Sequence, residues 1–313
     1  MHYRGLKIAL VVPCHNEETT IFQVVTDFKK HMPEIEPYVF DNCSTDKTKE
    51  EALKAGATLI SVYEKGKGNV VRRMFADVNA DVYVMVDGDA TYDASSVHKL
   101  VDKLIDDNLD MVVGCRKVVS DKKVKAYRLG HEFGNKMLTS SVTSIFGGKF
   151  TDMLSGYRAF TRRYAKSFPA LSQGFETETE LTVHALELRM PYGEISTLYG
   201  ERPEGSVSKL STYKDGLRIL KTIIKLFMRE KPLYFFSILT VLLSTTSIIL
   251  AIPIFSDYFL TGLVPRLPTA VLSAMLMLAG LMTLSCGLIL DNINVARHES
   301  RRLSYLLITN SLS

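Results

Sequence analysis

Two stretches near the C-terminal end, Pro232 to Phe255 and Leu267 to Leu290, each run for 24 residues without an Asp, Glu, Lys, Arg or His. A helix needs about 20 apolar residues to cross roughly 30 Å of hydrocarbon, so both are read as membrane spans and not as a pair of buried core helices. Lys221, Lys225, Arg229 and Lys231 precede the first run, and Arg297, Arg301 and Arg302 follow the second. The short connection between them has only Arg266. That bias predicts both termini on the cytoplasmic side. Met1 to Lys7 lacks the charged and apolar regions of a signal peptide, which agrees. The expected organisation is a soluble domain over 1–210, a basic amphipathic helix over 211–231, spans over 232–255 and 267–290, a short non-cytoplasmic loop over 256–266, and a cytoplasmic tail over 291–313.

Composition limits what the soluble part can be. With 46% hydrophobic and 23% charged residues, the chain is too apolar for disorder. Its net charge of +4 is modest, and the basic residues concentrate beside the apolar runs, which argues against a nucleic-acid partner. Cys14, Cys43, Cys115 and Cys286 are scattered, with no zinc spacing and no disulfide framework, as fits a reducing cytosol. In 211–231, Leu217, Leu220, Ile224 and Phe227 share one face, and Lys214, Arg218, Lys221, Lys225 and Arg229 form a basic stripe. This reads as a helix lying on anionic headgroups, the alternative being a solvated helix packed on the domain. Ala270, Ser273, Ala274, Ala279 and Gly280 permit close helix contact, so a homo-oligomer is expected.

Over the soluble part, strand-like runs (Lys7 to Val12, Tyr38 to Asp41, Thr58 to Val62, Val82 to Asp87, Met111 to Gly114) alternate with amphipathic ones (Glu17 to Lys30, Asp46 to Ala55, Gly68 to Asn79, Ala94 to Asp107). Repeated βα units predict an α/β domain with a mostly parallel sheet, which binds ligands at the C-terminal ends of its strands. The polar motifs fall there: PCHNE after the first strand, DNCSTD after the second and Asp87-Gly88-Asp89 after the fourth. Two carboxylates so close repel unless a cation separates them, and hard oxygens suit Mg²⁺ or Mn²⁺. Gly66-Lys67-Gly68 is neither a P-loop nor a dinucleotide fingerprint. Lys67 at a helix start either assists nucleotide phosphates or belongs to a plain turn.

The series VVPCHNEE (11–18), DNCSTD (41–46), GKGNVVR (66–72), VDGD (86–89), GCR (114–116), DMLSGYRAF (152–160), ETELTVHALE (178–187) and RPEGSVSK (202–209) resembles glycosyltransferase family 2. More narrowly it resembles the polyisoprenyl-phosphate glycosyltransferases, the group of dolichyl-phosphate mannose synthase and bacterial bactoprenol glucosyltransferases. The likeness covers residues 6 to 210, and the tail resembles that of two-span bacterial members. It implies a GT-A catalytic domain, with Pro13, His15, Glu17 and Asp41 around the nucleotide base and ribose; Lys67, Asp87 and Gly88 are also expected on the nucleotide. It implies a metal at Asp87 and Asp89, with Thr91 as a third ligand through its hydroxyl or through water. Arg116, Arg128 and Arg158 are expected near the acceptor phosphate, and Arg202 and Lys209 on a loop closing over the diphosphate. Relatives often carry two adjacent aspartates where this chain has Asp41-Asn42, and Gln where it has Thr91.

The implied reaction moves a sugar, with inversion, from a nucleoside diphosphate sugar, UDP-hexose for preference, to undecaprenyl or another polyprenyl phosphate at a bacterial cytoplasmic membrane. Asp89, Arg202, Lys209, Glu178 and Glu180 are the expected catalytic set. A phosphate monoester is largely dianionic near neutral pH and needs no base, so Glu178 and Glu180 are left either as a base or as groups that orient the sugar. Arg158 has a second reading as an ion-pair partner of Asp152. A processive synthase with its Q-x-x-R-W signature is excluded by the absence of Trp. A nucleotidyltransferase has no need of membrane spans. A non-catalytic scaffold that binds nucleotide sugars is disfavoured by the intact Asp87, Asp89, Arg202 and Lys209.

Overall fold

The computed structural model describes residues 2–118, 137–172, 174, 176–200, 202–203, 212–310 and 312. The chain divides into two compact units: residues 1–222 with 301–313, and residues 223–300.

The first unit is built on a seven-stranded sheet. Its strands are β1 (Ile8–Cys14), β2 (Glu36–Asp41), β3 (Thr58–Ser61), β4 (Val82–Met85), β5 (Met111–Val118), β6 (Arg158–Thr161) and β7 (Tyr192–Tyr199). They lie in the order β3-β2-β1-β4-β6-β5-β7. All neighbours are parallel except β6, which runs antiparallel to both β4 and β5. The first five strands are those expected from sequence. β6, whose sequence RAFT is not a β-branched run, and β7 both lie past the last repeated βα unit.

Helices α1 (Ile21–His31), α2 (Thr48–Lys54), α3 (Lys67–Asp77), α4 (Val97–Asp106), α5 (Met137–Phe146), α6 (Arg162–Ser167) and α7 (Thr177–Glu187) complete this unit. In α4 the spacing Val97, Leu100, Val101, Leu104 puts four fully buried side chains on one face, each contributing roughly 1.5–3 kcal/mol by leaving water. The turn before it is capped by Asp93, whose carboxylate accepts from the Ser95 amide at 3.0 Å. Two apolar clusters sandwich the sheet. One contains Leu10, Val84, Val112 and the α1 and α4 faces; the other contains Val11, Met85, Val113 and the inner faces of α3, α6 and α7.

The chain returns to this unit at its end. The Tyr305 hydroxyl donates to the buried carboxylate of Asp110 at 2.7 Å, and the Arg163 guanidinium lies over the Tyr305 ring at 4.9 Å. Asp110 also accepts from Thr161 and Arg163 at 2.7 and 2.5 Å, so one buried acid gathers three elements.

Helix α8 (Thr212–Glu230) straddles the two units. Ile219, Ile223 and Leu226 are buried on it, while Leu217, Leu220, Ile224 and Met228 are exposed beside Lys221 and Lys225. The second unit is a hairpin of α9 (Pro232–Thr261) and α10 (Leu267–Leu307), the latter continuing into the first unit from Arg301. Helix continues past Phe255 to Thr261 and past Leu290 to Leu307, so only residues 262–266 form the connection and the expected tail is mostly helical. Gly262 closes α9 in the left-handed conformation, φ 68°, a position glycine adopts without strain.

The hairpin buries small and hydroxyl side chains. Ser247 and Ser273 exchange hydrogen bonds to each other's carbonyls at 2.7 and 2.9 Å, and Thr240 donates to the Gly280 carbonyl at 3.1 Å. A Cβ on Gly280 would lie 3.0 Å from Ser244 Oγ, and one on Gly287 would lie 2.9 Å from Phe236. Large aliphatics such as Ile248, Ile252, Leu281, Met282 and Ile289 point outward. That arrangement inverts the pattern of a water-soluble core and is what lipid-facing helices require. Ser273 and Gly280, read from sequence as an oligomer contact, are therefore used within the hairpin.

Candidate active site

Three loops meet where β1, β2 and β4 end. After β1, the Cys14 carbonyl accepts from the Asn42 amide at 2.7 Å, and His15 Nδ1 donates to the Asn42 carbonyl at 2.8 Å, which fixes the tautomer of that imidazole. The Asn16 side chain accepts from the Thr45 amide at 2.8 Å, and Ser44 Oγ accepts from the Asn16 amide at 2.9 Å. Glu17 is buried, and its amide donates to Thr48 Oγ1 at 2.8 Å. Pro13 is half-buried at the strand exit. Asp41 is buried at the end of β2, where it accepts from the Ser44 amide at 3.3 Å and pairs with Lys49 at 3.4 Å.

Asn42 explains a departure from the family pattern. Its Nδ2 donates to the Val62 and Glu64 carbonyls at 3.2 and 2.7 Å, while its Oδ1 accepts from the Gly66 amide at 2.7 Å. A carboxylate has no donor for the first two bonds. The amide thus staples the β2 exit to the loop that launches α3. Asn16, Cys43 and Ala90, one per loop, all hold left-handed backbone conformations, with φ of 54°, 58° and 55°.

The acid pair follows β4. A Cβ on Gly88 would sit 2.7 Å from Cys14 Sγ, so only glycine lets this loop pack against β1. The Gly88 carbonyl is held by Thr20 Oγ1 at 2.7 Å. Asp89 is 5% exposed and takes Thr91 Oγ1 at 2.6 Å on one oxygen and the Arg202 guanidinium at 2.6 Å on the other. Burial, and then the charge of Asp87, push the Asp89 carboxyl above the usual aspartate range. Thr91 is buried and gives its hydroxyl to Asp89, so it orients that carboxylate.

Lys67 is the hub of the cleft. It is the first residue of α3, and its ammonium donates to Asp87 Oδ1 and to Glu178 Oε1, both at 2.5 Å. Burial works against that charge, but the two carboxylates outweigh it and hold the lysine pKa above its ordinary value. Asp87 lies against Gly156, where a Cβ would come within 2.4 Å of Oδ2. The Gly156 amide is in turn held by the Tyr92 hydroxyl at 2.9 Å.

The remaining expected residues separate. Arg116, on β5, makes a bidentate pair with Asp152 at 2.7 Å on each arm and lies 5.6 Å from the centre of the Tyr199 ring. It remains partly exposed. Arg158 is corrected: it is 0% exposed, and its guanidinium donates to the carbonyls of Ser155, Met153 and Glu178 and to Thr182 Oγ1. It holds the architecture and is out of reach of an acceptor phosphate, and Asp152 is taken by Arg116. Glu180 is likewise removed from the base candidates, because its oxygens accept the backbone amides of Leu171 and Ser172 at 2.8–3.1 Å. Glu178 stays in the cleft through Lys67. Arg128 and Lys209 lie outside the described residues.

Sequence reasoning missed Tyr92; it placed Gly156 with Tyr157 and Arg158 on the acceptor side, read Asp152 as a partner of Arg158, and read Asn42 only as a departure bearing on base recognition. The roles the structure gives them come from pairings between distant segments. Cys115, beside Arg116, has its thiol pushed up to about 12 by burial, which leaves it no thiolate at neutral pH.

An α/β sheet with one reversed strand, carrying an acid pair at the exit of its fourth strand, is a GT-A-like arrangement. The M. tuberculosis glucosyl-3-phosphoglycerate synthase in complex with Mn²⁺ and UDP-glucose shares this fold, with a TM-score of 0.57 and 21% identity over 70% of this chain and 79% of that one. Residues 9–168 match Glycosyl transferase family 2. The glycosyltransferase AglJ of Haloferax volcanii is 30% identical over 301 residues, spanning 96% of this chain and 98% of that protein. A dolichyl-phosphate hexose transferase of the same organism is 26% identical over 72% of this chain and 95% of its own length. The chain belongs to glycosyl transferase family 2, and it is a glycosyltransferase.

Proposed function

We propose that the protein transfers a hexose from a nucleoside diphosphate sugar, UDP-hexose for preference, to a polyprenyl phosphate such as undecaprenyl phosphate, with inversion and at the cytoplasmic face of a membrane. The observation that carries this reading is the charge layout of the cleft: Asp87, Asp89 and Glu178 face Lys67 and Arg202, in a chain whose second unit turns its aliphatic side chains outward. Three carboxylates against two cations leave room for a divalent ion. The residues fit Mg²⁺ or Mn²⁺, with Asp87 and Asp89 as the side chains that would hold it. When bound, the ion supplies charge stabilisation to the departing diphosphate.

The chain's own residues do the rest. Pro13, His15, Glu17 and Asp41 form the base and ribose end of the cleft. Arg202 and Lys67 are placed to take up charge as the bond between the anomeric carbon and the diphosphate oxygen breaks and its electron pair leaves with the nucleotide. The acceptor phosphate oxygen forms the new bond at the opposite face, and Arg116 holds that phosphate. Because the phosphate is already a dianion, no side chain has to remove a proton. The name of the dolichyl-phosphate hexose transferase relative supports the acceptor class, and the synthase structure with UDP-glucose and Mn²⁺ supports the donor and ion.

The hairpin supports membrane attachment, since the chain leaves the catalytic unit after residue 222 and rejoins it at Arg301, which implies two crossings and both termini on one side. The test is to incubate purified full-length protein in detergent with undecaprenyl phosphate, Mg²⁺ or Mn²⁺ and a panel of nucleotide sugars, following released nucleotide and lipid-linked sugar by mass spectrometry. A lipid-phosphate sugar with one donor, abolished by EDTA and restored by either ion, is expected. Transfer only to water or to a soluble hydroxyl acceptor would reject the lipid acceptor, and full turnover in EDTA would reject the ion.

A further inference from the structure

We propose that Lys67 is a resident counter-ion of the metal site: in the unloaded cleft its ammonium neutralises Asp87 while anchored on Glu178, and on loading it exchanges Asp87 for an oxygen of the nucleotide diphosphate. Divalent ion and diphosphate then load as a linked pair. This deepens the reading above and rests on its donor and ion.

The geometry restricts what can move. Lys67 begins α3 after Gly66, whose φ of 123° is open only to glycine. Behind it, a Cβ on Gly68 would lie 2.0 Å from the Ser172 carbonyl oxygen, so the helix start is wedged against that loop. The loop is itself fixed, with Glu180 holding the amides of Leu171 and Ser172 and Arg72 holding the Ala170 carbonyl at 2.9 and 3.1 Å. On the opposite side Asp87 is pressed onto Gly156. Backbone adjustment is closed off on both walls, and the four-carbon stem of Lys67 is the mobile part.

The charges then dictate order. A divalent ion arriving alone would have to displace the bond between Asp87 and the buried ammonium with no phosphate oxygen to replace it, which is costly in a site shielded from water. A diphosphate arriving alone meets three carboxylates. If the two arrive together, Asp87 and Asp89 would hold the ion, and Lys67 and Arg202, released from those acids, would face phosphate oxygens, so each charge would end with a partner. Glu178 is the pivot. Its Oε1 keeps the ammonium at 2.5 Å, and its Oε2 is buried with no hydrogen-bond partner among the described residues. That makes it a positioning residue acting through Lys67, and it accounts for a buried acid in a reaction that requires no base.

The experiment measures binding without turnover. Full-length protein in detergent is titrated with Mn²⁺, following free Mn²⁺ by electron paramagnetic resonance, with and without UDP. UDP binding is measured in parallel, with and without Mn²⁺. Wild type is expected to bind each weakly alone, and each to tighten the other by about tenfold or more, equally in both directions. Lys67→Gln, with its fold checked by thermal melting, is expected to bind Mn²⁺ alone roughly tenfold more tightly than wild type and to lose most of the mutual tightening. Lys67→Arg, which keeps the charge, should keep Mn²⁺-alone binding weak. Unchanged or weaker Mn²⁺-alone binding in Lys67→Gln, with coupling intact in wild type, would overturn the exchange while leaving the donor and ion reading standing. Additive binding in wild type would overturn it even if Lys67→Gln fails to fold. No Mn²⁺ uptake by wild type with UDP present would overturn both.

Discussion

The rim of the cleft and the core just beneath it both contain charged side chains, but they are held differently. At the rim Lys67, Arg116 and Arg202 each face a carboxylate. Beneath, Arg158 and Glu180 are bonded to main-chain carbonyls and amides. A carboxylate can be shared with an incoming ion or exchanged for a phosphate, whereas a backbone carbonyl cannot leave. Charges tied to side chains are therefore the exchangeable ones, and charges tied to backbone form part of the frame.

The strongest way to break this contrast is Arg158→Ala. Several buried carbonyls would lose their donor, and about 3–5 kcal/mol of stability should go with it, seen as a large fall in melting temperature. Survival with a near-normal melt would put Arg158 at the rim. Asp89→Asn should do the reverse, lowering turnover by about 10²–10³ while the melting temperature changes little. Gly156→Ala should sharpen the point without touching a charge. Its new methyl displaces the Asp87 carboxylate, and a misplacement of that kind costs up to about a hundredfold in turnover; activity within twofold of wild type would show that Asp87 need not stay where it is. Arg116→Ala should raise the apparent KM for the lipid phosphate by about tenfold while the KM for the nucleotide sugar holds, since a charge-assisted bidentate contact is lost.

The smallest effect is expected at Asp46, held by the Thr48 hydroxyl together with the Thr48 and Glu18 amides. It is partly buried, which alone would raise its pKa, but hydrogen bonds from Thr48 and from the Glu18 amide lower it below the usual aspartate range. Its folded pKa is depressed, so its stabilisation is present above the ordinary aspartate value and fades as pH falls through the folded one. Melting of Asp46→Asn should therefore lag wild type at pH 7 and converge with it in acid. A constant gap across that range would deny the linkage.

Much of the frame was legible because it repeats. Five strands announced themselves through short β-branched runs and four helices through apolar spacing of three and four, and the position of Asp87-Gly88-Asp89 followed from where its strand had to end. Uncharged length alone marked the hairpin. What stayed hidden depends on pairs far apart in sequence. Arg158 reads as a phosphate ligand by its neighbours Gly156 and Tyr157, and only its insertion beneath α7, 20 residues on from it, shows where its donors go. Glu178 and Glu180 look equivalent two residues apart, yet on α7 one turns to Lys67 and the other to the Leu171 loop. Helix termini shifted too: α1 starts at Ile21 because the residues after Glu17 are used in the turn that meets Thr48.

The three left-handed residues around the site bear on engineering. Asn16, Cys43 and Ala90 hold a shape that costs side-chain-bearing residues roughly 1–2 kcal/mol, least for asparagine. Glycine at Ala90 would release that stored energy, yet it would hand conformational freedom to the segment that follows the second acid of the pair. Anyone seeking a hardier enzyme would find the easiest gains in the places where stiffness already shapes the cleft, and would do better to look for them on the far side of the sheet.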